Sequence, residues 1–371
     1  MRRSIPGWVI VWAVFGTGIA GVSAQGVRAL WGFSADGIFS GAPEQTIAVL
    51  QELGCNAVFA ENLSPELMPA LRKAGIKMYS TVRVFGDHSA WKRYPQLRPI
   101  NSHGQPVALK YGSGICPTQR WYWPRVLRRV SQQLDAGFDG VWLDFLRFST
   151  HWEEPIPQLE MTCFCDSTLA DFSRVTGIVW PPADSLVSDG AVDSLAMVDS
   201  IAYGIRHKAA IAAWILNNHR REWRSYKTGV ITEFVAQAHA TVDKKAGRTL
   251  GVFLVPWERS EFGFAILDHI GQDYTQLQQH ADVLSPMLYH ELCDRPVEWI
   301  AKFIEHTTTV ASKPIWPIIQ SDLGEGHHVG DDEFAAALLG AMDPPSSGVI
   351  VFRQQTLMEA RQFRILGAAW K

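Results

Sequence analysis

Eight short apolar runs divide this chain, and stretches with helical character lie between them. Several of these stretches end at a glycine just before the next run, as helices commonly do. Regular alternation of strand and helix favours βα units around a parallel sheet. The predicted strands are Arg28–Ser34, Ala57–Glu61, Lys77–Val84, Gly140–Phe148, Leu250–Trp257, Asp282–Tyr289, Pro314–Gln320 and Gly348–Phe352.

Eight βα units predict an α/β protein with a single (β/α)8 TIM barrel over residues 25–371. An open doubly wound sheet is the alternative, but no G-x-G-x-x-G loop follows the first strand. Two connections are long, one after strand three (Asp87–Tyr122) and one after strand four (Ser149–Thr249). The second includes the helical stretches Ser200–Asn217 and Thr228–Lys245. Long insertions after barrel strands are expected to form the walls of a cleft.

The first 24 residues have the pattern of a signal peptide. Arg2 and Arg3 precede an apolar stretch from Trp8 to Val22, and Val22-Ser23-Ala24 matches a small-x-small cleavage site. The apolar stretch is short and rich in glycine for a transmembrane helix. We therefore expect cleavage after Ala24, a secreted or periplasmic protein, and no membrane insertion after cleavage. An uncleaved membrane anchor is the alternative.

The composition is that of an ordinary globular protein, with 47% hydrophobic and 19% charged residues among 371. The formal net charge of −3 provides no basic field for nucleic acid, so no nucleic-acid partner is expected. Tryptophan is abundant, with 15 copies. Its flat ring suits both a large core and the apolar faces of sugars. The sequence makes no prediction of oligomeric state.

The fourth apolar run carries the most informative residue, because it includes a carboxylate, Asp144, followed three positions later by Arg147. An ionised carboxylate is costly to bury unless it is paired or used. In a parallel barrel Asp144 would lie at the C-terminal rim, where such barrels have their active sites. We therefore predict a catalytic role for Asp144. A salt bridge to Arg147 or Arg83 that only ties the barrel mouth is the structural alternative.

Other polar and aromatic residues follow the predicted strands and should converge on the same rim. Carboxylates and amides hydrogen-bond hydroxyl groups, arginine positions charge, and tryptophan stacks on sugar rings. Glu153 and Asp322 are further carboxylates in these loops. The predicted substrate-binding residues are Glu61, Arg83, Arg147, Trp152, Trp257, Tyr289, His290, Gln320 and Gln354.

The cysteine and histidine patterns do not predict a metal or cofactor. Cys163-Phe164-Cys165 could begin a zinc site, but no second pair follows at a suitable spacing. We interpret these cysteines as buried thiols or as one partner of a disulfide. Five cysteines remain after signal cleavage, so at least one is free or intermolecular. His327-His328 is interpreted as a flexible loop, and neither H-E-x-x-H nor G-x-S-x-G occurs.

Several segments resemble a glycoside hydrolase-like TIM-barrel family. The segment Asp139–Phe148, DGVWLDFLRF, is similar to a DGV-x-LDY-x-RF strand-four motif of that family. Tyr94–Asn101, Gly104–Pro106 and Ser285–His290 are similar to other parts of these proteins, and Cys163–Cys165 to their CFC-x-x-C segment, with Thr168 in place of the last cysteine. The resemblance implies a barrel, secretion and glycosidic-bond hydrolysis, with Asp144 as the nucleophile.

The sequence thus predicts a secreted glycosidase that cleaves a poly- or oligosaccharide with two carboxylates. Asp144 is the predicted nucleophile or stabilising base, Glu291 the preferred general acid, and Glu258 its rival. A sugar-binding protein without catalysis and a metal-dependent hydrolase or deacetylase are the alternatives. No cofactor is required by the preferred chemistry.

Overall fold

The eight apolar runs form a closed barrel of eight parallel strands in the order β1 to β8 in the computed structural model of the protein. The structure describes residues 26–32, 37–107, 114–186, 200–324, 326–359 and 362–371. The strands are β1 Val27–Trp31, β2 Ala57–Ala60, β3 Lys77–Arg83, β4 Gly140–Asp144, β5 Thr249–Leu254, β6 Val283–Leu288, β7 Ile318–Gln320 and β8 Gly348–Phe352. The predicted (β/α)8 barrel is therefore confirmed. The predicted signal peptide lies outside the described residues.

The barrel closes because β1 pairs with β8 as well as with β2, with Ala29 opposite Ile350 and Ala57. The helices of the described part of the chain are α1 Pro43–Leu53, α2 Leu67–Lys73, α3 His88–Arg93, α4 Trp123–Ala136, α5 Asp166–Thr176, α6 Ala183–Leu186, α7 Ser200–Asn218, α8 Arg220–Val242, α9 Glu261–Ala265, α10 Tyr274–Leu277, α11 Trp299–Val310, α12 Asp331–Met342, α13 Gln354–Glu359 and α14 Phe363–Trp370.

Aromatic side chains fill the interior of the barrel. Trp142 of β4 contacts Phe59, Tyr79 and Trp316, with ring centroids 4.9, 4.8 and 5.2 Å away. Its indole N–H donates a 2.9 Å hydrogen bond to Ser285 Oγ across the barrel, so the one polar atom of the ring is satisfied. The interior is thus a packed core, and a ligand must bind at one end of it.

The two long connections include much of the helical structure outside the regular βα units. The chain between β3 and α4 carries α3, and the chain between β4 and β5 carries α5 to α8. The helical stretches predicted at Ser200–Asn217 and Thr228–Lys245 are observed as α7 and α8, with α8 starting earlier, at Arg220. No helix in the described ranges has the length and apolarity needed to cross a membrane.

Strand β4 ends earlier than predicted, at Asp144 instead of Phe148. The cause is local, because Phe145 adopts a φ of 51°, in the left-handed region. A non-glycine residue in that region cannot continue a strand, so the chain turns away immediately after Asp144. The carboxylate is consequently the last side chain of β4.

Candidate active site

A cavity of about 850 Å³ opens where the carboxyl ends of the strands meet. Trp31, Arg83, Asp144 and Phe352, each the last residue of its strand, line it. This is the end at which βα barrels have their active sites. Its walls also include Phe145, Arg147, Glu153, Glu154, Ile156, Tyr289, Leu323, His327 and Arg353.

Asp144 is held at the base of this cavity by the turn that follows it. The backbone N–H of Phe145 donates a 2.7 Å hydrogen bond to Asp144 Oδ1. The Phe145 ring lies between two cations, with the guanidinium carbons of Arg147 and Arg83 at 4.6 and 5.6 Å from its centroid. Strained backbone at such a residue is typical of sites where a side chain must be presented in a fixed direction.

Two opposing effects act on the ionisation of Asp144. Burial raises the pKa of this carboxyl above its ordinary value, and the negative charge of Glu61 adds a smaller increase. The positive charges of Arg147 and Arg83 and the Phe145 N–H lower the pKa of Asp144. The net direction is upward, because the cost of burial exceeds the support that the two cations and the N–H give to the charged form.

Glu153 is a second acid of this cavity. Burial raises the pKa of Glu153, and the negative charges of Asp144 and Glu154 raise it further, while Arg147 lowers it. Two nearby carboxyls in a partly dry site do not both ionise readily, so one of them retains its proton to higher pH. Arg147 lowers the pKa of both carboxyls, whereas Arg83 and the Phe145 N–H lower that of Asp144, which makes Glu153 the candidate for the protonated partner.

Three further charged residues near Asp144, namely Arg83, Glu61 and Glu154, each have a defined partner. Arg83 Nε donates to Glu61 Oε1 at 2.9 Å, so this predicted pair lies together at the rim. Glu61 is not part of the cavity wall, and it contacts the site through Arg83. Glu154 accepts hydrogen bonds from Gln158 and pairs with His151. These pairs fix the charged groups around the two acids.

Aromatic residues form one side of the cavity. Phe352 lies between Trp31 and Tyr289, with ring centroids 4.8 and 5.5 Å away. Trp31 Nε1 donates to Thr81 Oγ1, which fixes the plane of the indole. Trp31 was not among the predicted site residues, because the first strand was predicted to run to Ser34, which placed Trp31 inside it.

Besides Glu61, five of the predicted substrate-binding residues are not among those that line this cavity. Trp152 is fully buried and stacks behind Tyr289, at 5.9 Å, so it supports the aromatic wall without being part of it. Trp257 is buried and lies in a separate small pocket beside Phe303 and Val310. The other three residues, His290, Gln320 and Gln354, are fully buried and hydrogen-bonded within the protein. His290 is hydrogen-bonded to Glu333, Gln320 to Leu292 and Glu291, and Gln354 to the backbone N–H of Ile38.

The two predicted general acids, Glu291 and Glu258, are not among the residues that line the cavity. Glu291 is half-buried, accepts from Gln320 and contacts His327 at 3.2 Å, beside the cavity but not among its lining residues. Glu258 is exposed, and its backbone N–H donates to Glu261. Of these carboxyls, the one that shares the cavity with Asp144 is Glu153, which sequence analysis named only as a further candidate.

Comparison with known proteins supports the fold. No protein-family profile matches the sequence, and no curated protein does. Among solved structures, the chain is similar to the glycoside hydrolase domain of PgaB (BpsB) from Bordetella bronchiseptica, at 11% identity and a TM-score of 0.64 over 92% of this chain and 98% of that one. It is also similar to β-galactosidases from the psychrophilic Marinomonas ef1 (12% identity, TM-score 0.64) and from Halorubrum lacusprofundi (11%, 0.63).

The coverage differs between these neighbours. The chain matches 93% of its own length to each β-galactosidase but spans only 59% and 57% of those chains. At these identities the likeness establishes a shared barrel fold. The glycoside hydrolase neighbours have the TIM-barrel architecture found here.

Proposed function

We propose that this protein hydrolyses glycosidic bonds of a poly- or oligosaccharide in the cavity at the carboxyl ends of its strands. The observation that carries the proposal is the pair Asp144 and Glu153 in one cavity with arginine and aromatic walls. Glycoside hydrolysis requires two carboxyl groups, one ionised and one protonated, on either side of the bond. The fold that this chain shares with solved glycoside hydrolases also supports the proposed hydrolysis.

In this mechanism Glu153 is the general acid. Its proton, retained because burial and the neighbouring carboxylates raise its pKa, passes to the glycosidic oxygen as the bond to the anomeric carbon breaks. Asp144 is the carboxylate that stabilises the positive charge developing at the anomeric carbon. Water then supplies the hydroxyl of the new reducing end, and its remaining proton returns to a carboxylate of the site.

The other walls of the cavity would orient the sugar. Tyr289, Phe352 and Trp31 offer apolar faces, and Arg83, Arg147 and Arg353 offer hydrogen-bond donors. Three arginines in one cavity also suit a substrate that carries negative charge. Glu153 takes the acid role predicted for Glu291 or Glu258, because it lines the cavity with Asp144 and those two glutamates do not.

The experiment is a screen of the purified protein against neutral, amino and acidic polysaccharides, with release of reducing ends as the readout. On the substrate found, Asp144→Asn and Glu153→Gln should each lower kcat by about 10²–10⁴, the usual contribution of a catalytic acid or base. Glu258→Gln is the matched control and should retain the wild-type rate, because the Glu258 side chain is exposed outside the cavity.

Three outcomes would contradict the proposal or one of its assignments. Wild-type activity in folded Asp144→Asn would mean that this carboxylate is structural. Binding of an oligosaccharide by the wild type without release of any product would mean that the cavity only binds sugars. A loss of activity in Glu291→Gln but not in Glu153→Gln would return the acid role to Glu291.

A further inference from the structure

Three cysteines from two separate connections meet in the interior, away from the cavity. Cys116 belongs to the connection after β3, and Cys163 and Cys165 belong to the segment between β4 and α5. All three thiols are buried and free of disulfide bonds. Their sulfur atoms all lie within 4.8 Å of one another, and Cys116 Sγ and Cys165 Sγ are 3.8 Å apart.

The distance between Cys116 Sγ and Cys165 Sγ matches that between two sulfur ligands of a tetrahedral metal site. For a Zn–S bond of about 2.3 Å, tetrahedral geometry places two sulfur ligands about 3.8 Å apart. Thr168 Oγ1 lies 3.1 Å from Cys165 Sγ and 3.3 Å from Cys116 Sγ, so the hydroxyl occupies a fourth corner of the group. Thr168 is completely buried, and its hydroxyl also contacts Thr118 Oγ1 at 2.8 Å.

N–H groups face the sulfur atoms of Cys163 and Cys165. Cys163 Sγ faces the backbone N–H groups of Ile100 and Cys165, at 3.3 and 3.5 Å. Cys165 Sγ faces the side-chain amide of Gln119, at 3.5 Å. Cys165 is also the residue that precedes α5, where the positive end of the helix dipole stabilises a thiolate. Such N–H donors to sulfur are the usual outer partners of thiolate ligands.

A buried cation lies next to the group. Lys227 is completely buried, and its ammonium donates to the carbonyl oxygens of Asp268 and His269. Burial lowers the pKa of Lys227 to about 7, and the negative charges of Asp268, Cys163 and Cys116 oppose that decrease. Three thiolates and one divalent ion carry a net charge of −1, which a protonated Lys227 would neutralise. A buried charge with a partner of this kind is far less costly than one without.

We propose that Cys116, Cys163 and Cys165 bind a zinc ion, with the Thr168 hydroxyl as the fourth ligand. Binding leaves all three sulfur atoms as thiolates and releases one proton for each of them that is a thiol before the ion binds, and no oxidation occurs. The site is structural, because its ligands are buried and no position is open to a substrate. This proposal does not depend on the proposed hydrolysis.

The ion would join the two long connections that wall the cavity. These connections already meet through backbone hydrogen bonds, from Ser102 N to Met161 O and from Phe164 N to Ile100 O. Glu153 lies on the segment that runs from β4 to Cys165. Zinc would therefore fix the far end of the segment that carries Glu153.

The test uses the purified protein, stripped of metal with a chelator and kept reduced without oxygen, and titrated with Co²⁺ alone. Binding of a single Co²⁺ should produce a thiolate-to-cobalt absorption band in the near ultraviolet, which Zn²⁺ then removes by displacement. Cys163→Ser should abolish the band. The control is Cys293→Ser, which removes a buried cysteine outside the group and should leave the band unchanged.

A second variant tests the proposal independently, in case Cys163→Ser does not fold. Thr168→Cys supplies a fourth sulfur at the corner now held by a hydroxyl, and should tighten Zn²⁺ binding by about tenfold or more. Unchanged Zn²⁺ affinity in this variant would overturn the proposal. Absence of the cobalt band in the wild type, or a native mass lower by two hydrogens that shows a disulfide within the group, would overturn it as well.

Discussion

At the residue scale, the two carboxyls of the cavity reduce the stability of the folded protein at neutral pH. Burial raises the pKa of Asp144 and of Glu153, so the native state holds both protons more tightly than the unfolded chain does. Below the ordinary carboxyl pKa this proton binding contributes its full stabilisation of the folded protein. The contribution is lost as the pH rises through the higher pKa values that the two carboxyls have in the folded protein.

Replacing Glu153 by glutamine should therefore raise the melting temperature at pH 7. Glutamine keeps the shape of the side chain and has no charge to desolvate. The gain should shrink as the pH falls and should vanish below 4.5, the ordinary value for this carboxyl, where the wild type is protonated in both states. Calorimetry of both proteins across this range is the measurement. A wild type more stable than Glu153→Gln at pH 7 would contradict the burial argument.

Arg147 should set the position of the pH–activity profile. Among the groups that lower the pKa of Asp144 and of Glu153, it is the one with the largest effect on each. Arg147→Met should therefore shift both limbs of the kcat/KM profile to higher pH. Arg353→Met removes another arginine of the same cavity and should leave both limbs in place. Unmoved limbs in Arg147→Met would show that its charge does not act on the two acids.

At the scale of elements, the packing of β4 against β5 requires a glycine at position 251. Gly251 of β5 lies opposite Trp142 of β4 in the strand register, and a Cβ built there would come within 1.9 Å of the indole. The ring is held by its bond to Ser285 and by the aromatic residues around it, so it has little room to move. The largest side chain of β4 is thus accommodated by the smallest residue of its neighbour.

Gly251→Ala should consequently destabilise the barrel by about 1–3 kcal/mol, the usual cost of overpacking a core. Gly229→Ala is the matched control, because Gly229 is exposed in α8 and a Cβ there has no atom within 4 Å. That control should stabilise the protein by about 0.5–1 kcal/mol, since alanine favours helix. Urea denaturation of both variants measures the two changes. Equal stability of Gly251→Ala and the wild type would mean that the Trp142 ring moves freely.

At the scale of the whole molecule, the barrel supplies a rigid floor and the two long connections supply much of the wall. Arg83, Asp144 and Phe352 come from strand ends, while Glu153, Glu154 and Ile156 come from the connection after β4. The cysteine group lies where this connection meets the one after β3. The shape of the cavity wall therefore depends on how these two segments are held together.

Export is a prediction for the whole chain. The charged start, the apolar middle and Val22-Ser23-Ala24 lead us to propose that the protein acts outside the cytoplasm after loss of residues 1–24. Mass spectrometry of the exported protein should find Gln25 as the first residue. Intact Met1 in a membrane fraction would show an anchor instead.

The sequence by itself determined the number and order of the strands and the place of Asp144. Each strand is a local apolar run, and the carboxyl ends of parallel barrel strands meet at one rim, so positions for Arg83 and Asp144 near that rim were predictable. The family-like segment Asp139–Phe148 pointed to the same strand.

Only the tertiary structure decided which neighbouring side chains face the cavity. Trp152 and Glu153 are adjacent in sequence, yet the first is fully buried behind Tyr289 and the second lines the cavity. Cys116 likewise meets Cys165 across 49 positions of sequence. The exposure of a loop side chain depends on segments distant in the chain that pack against it, and no local pattern encodes that packing.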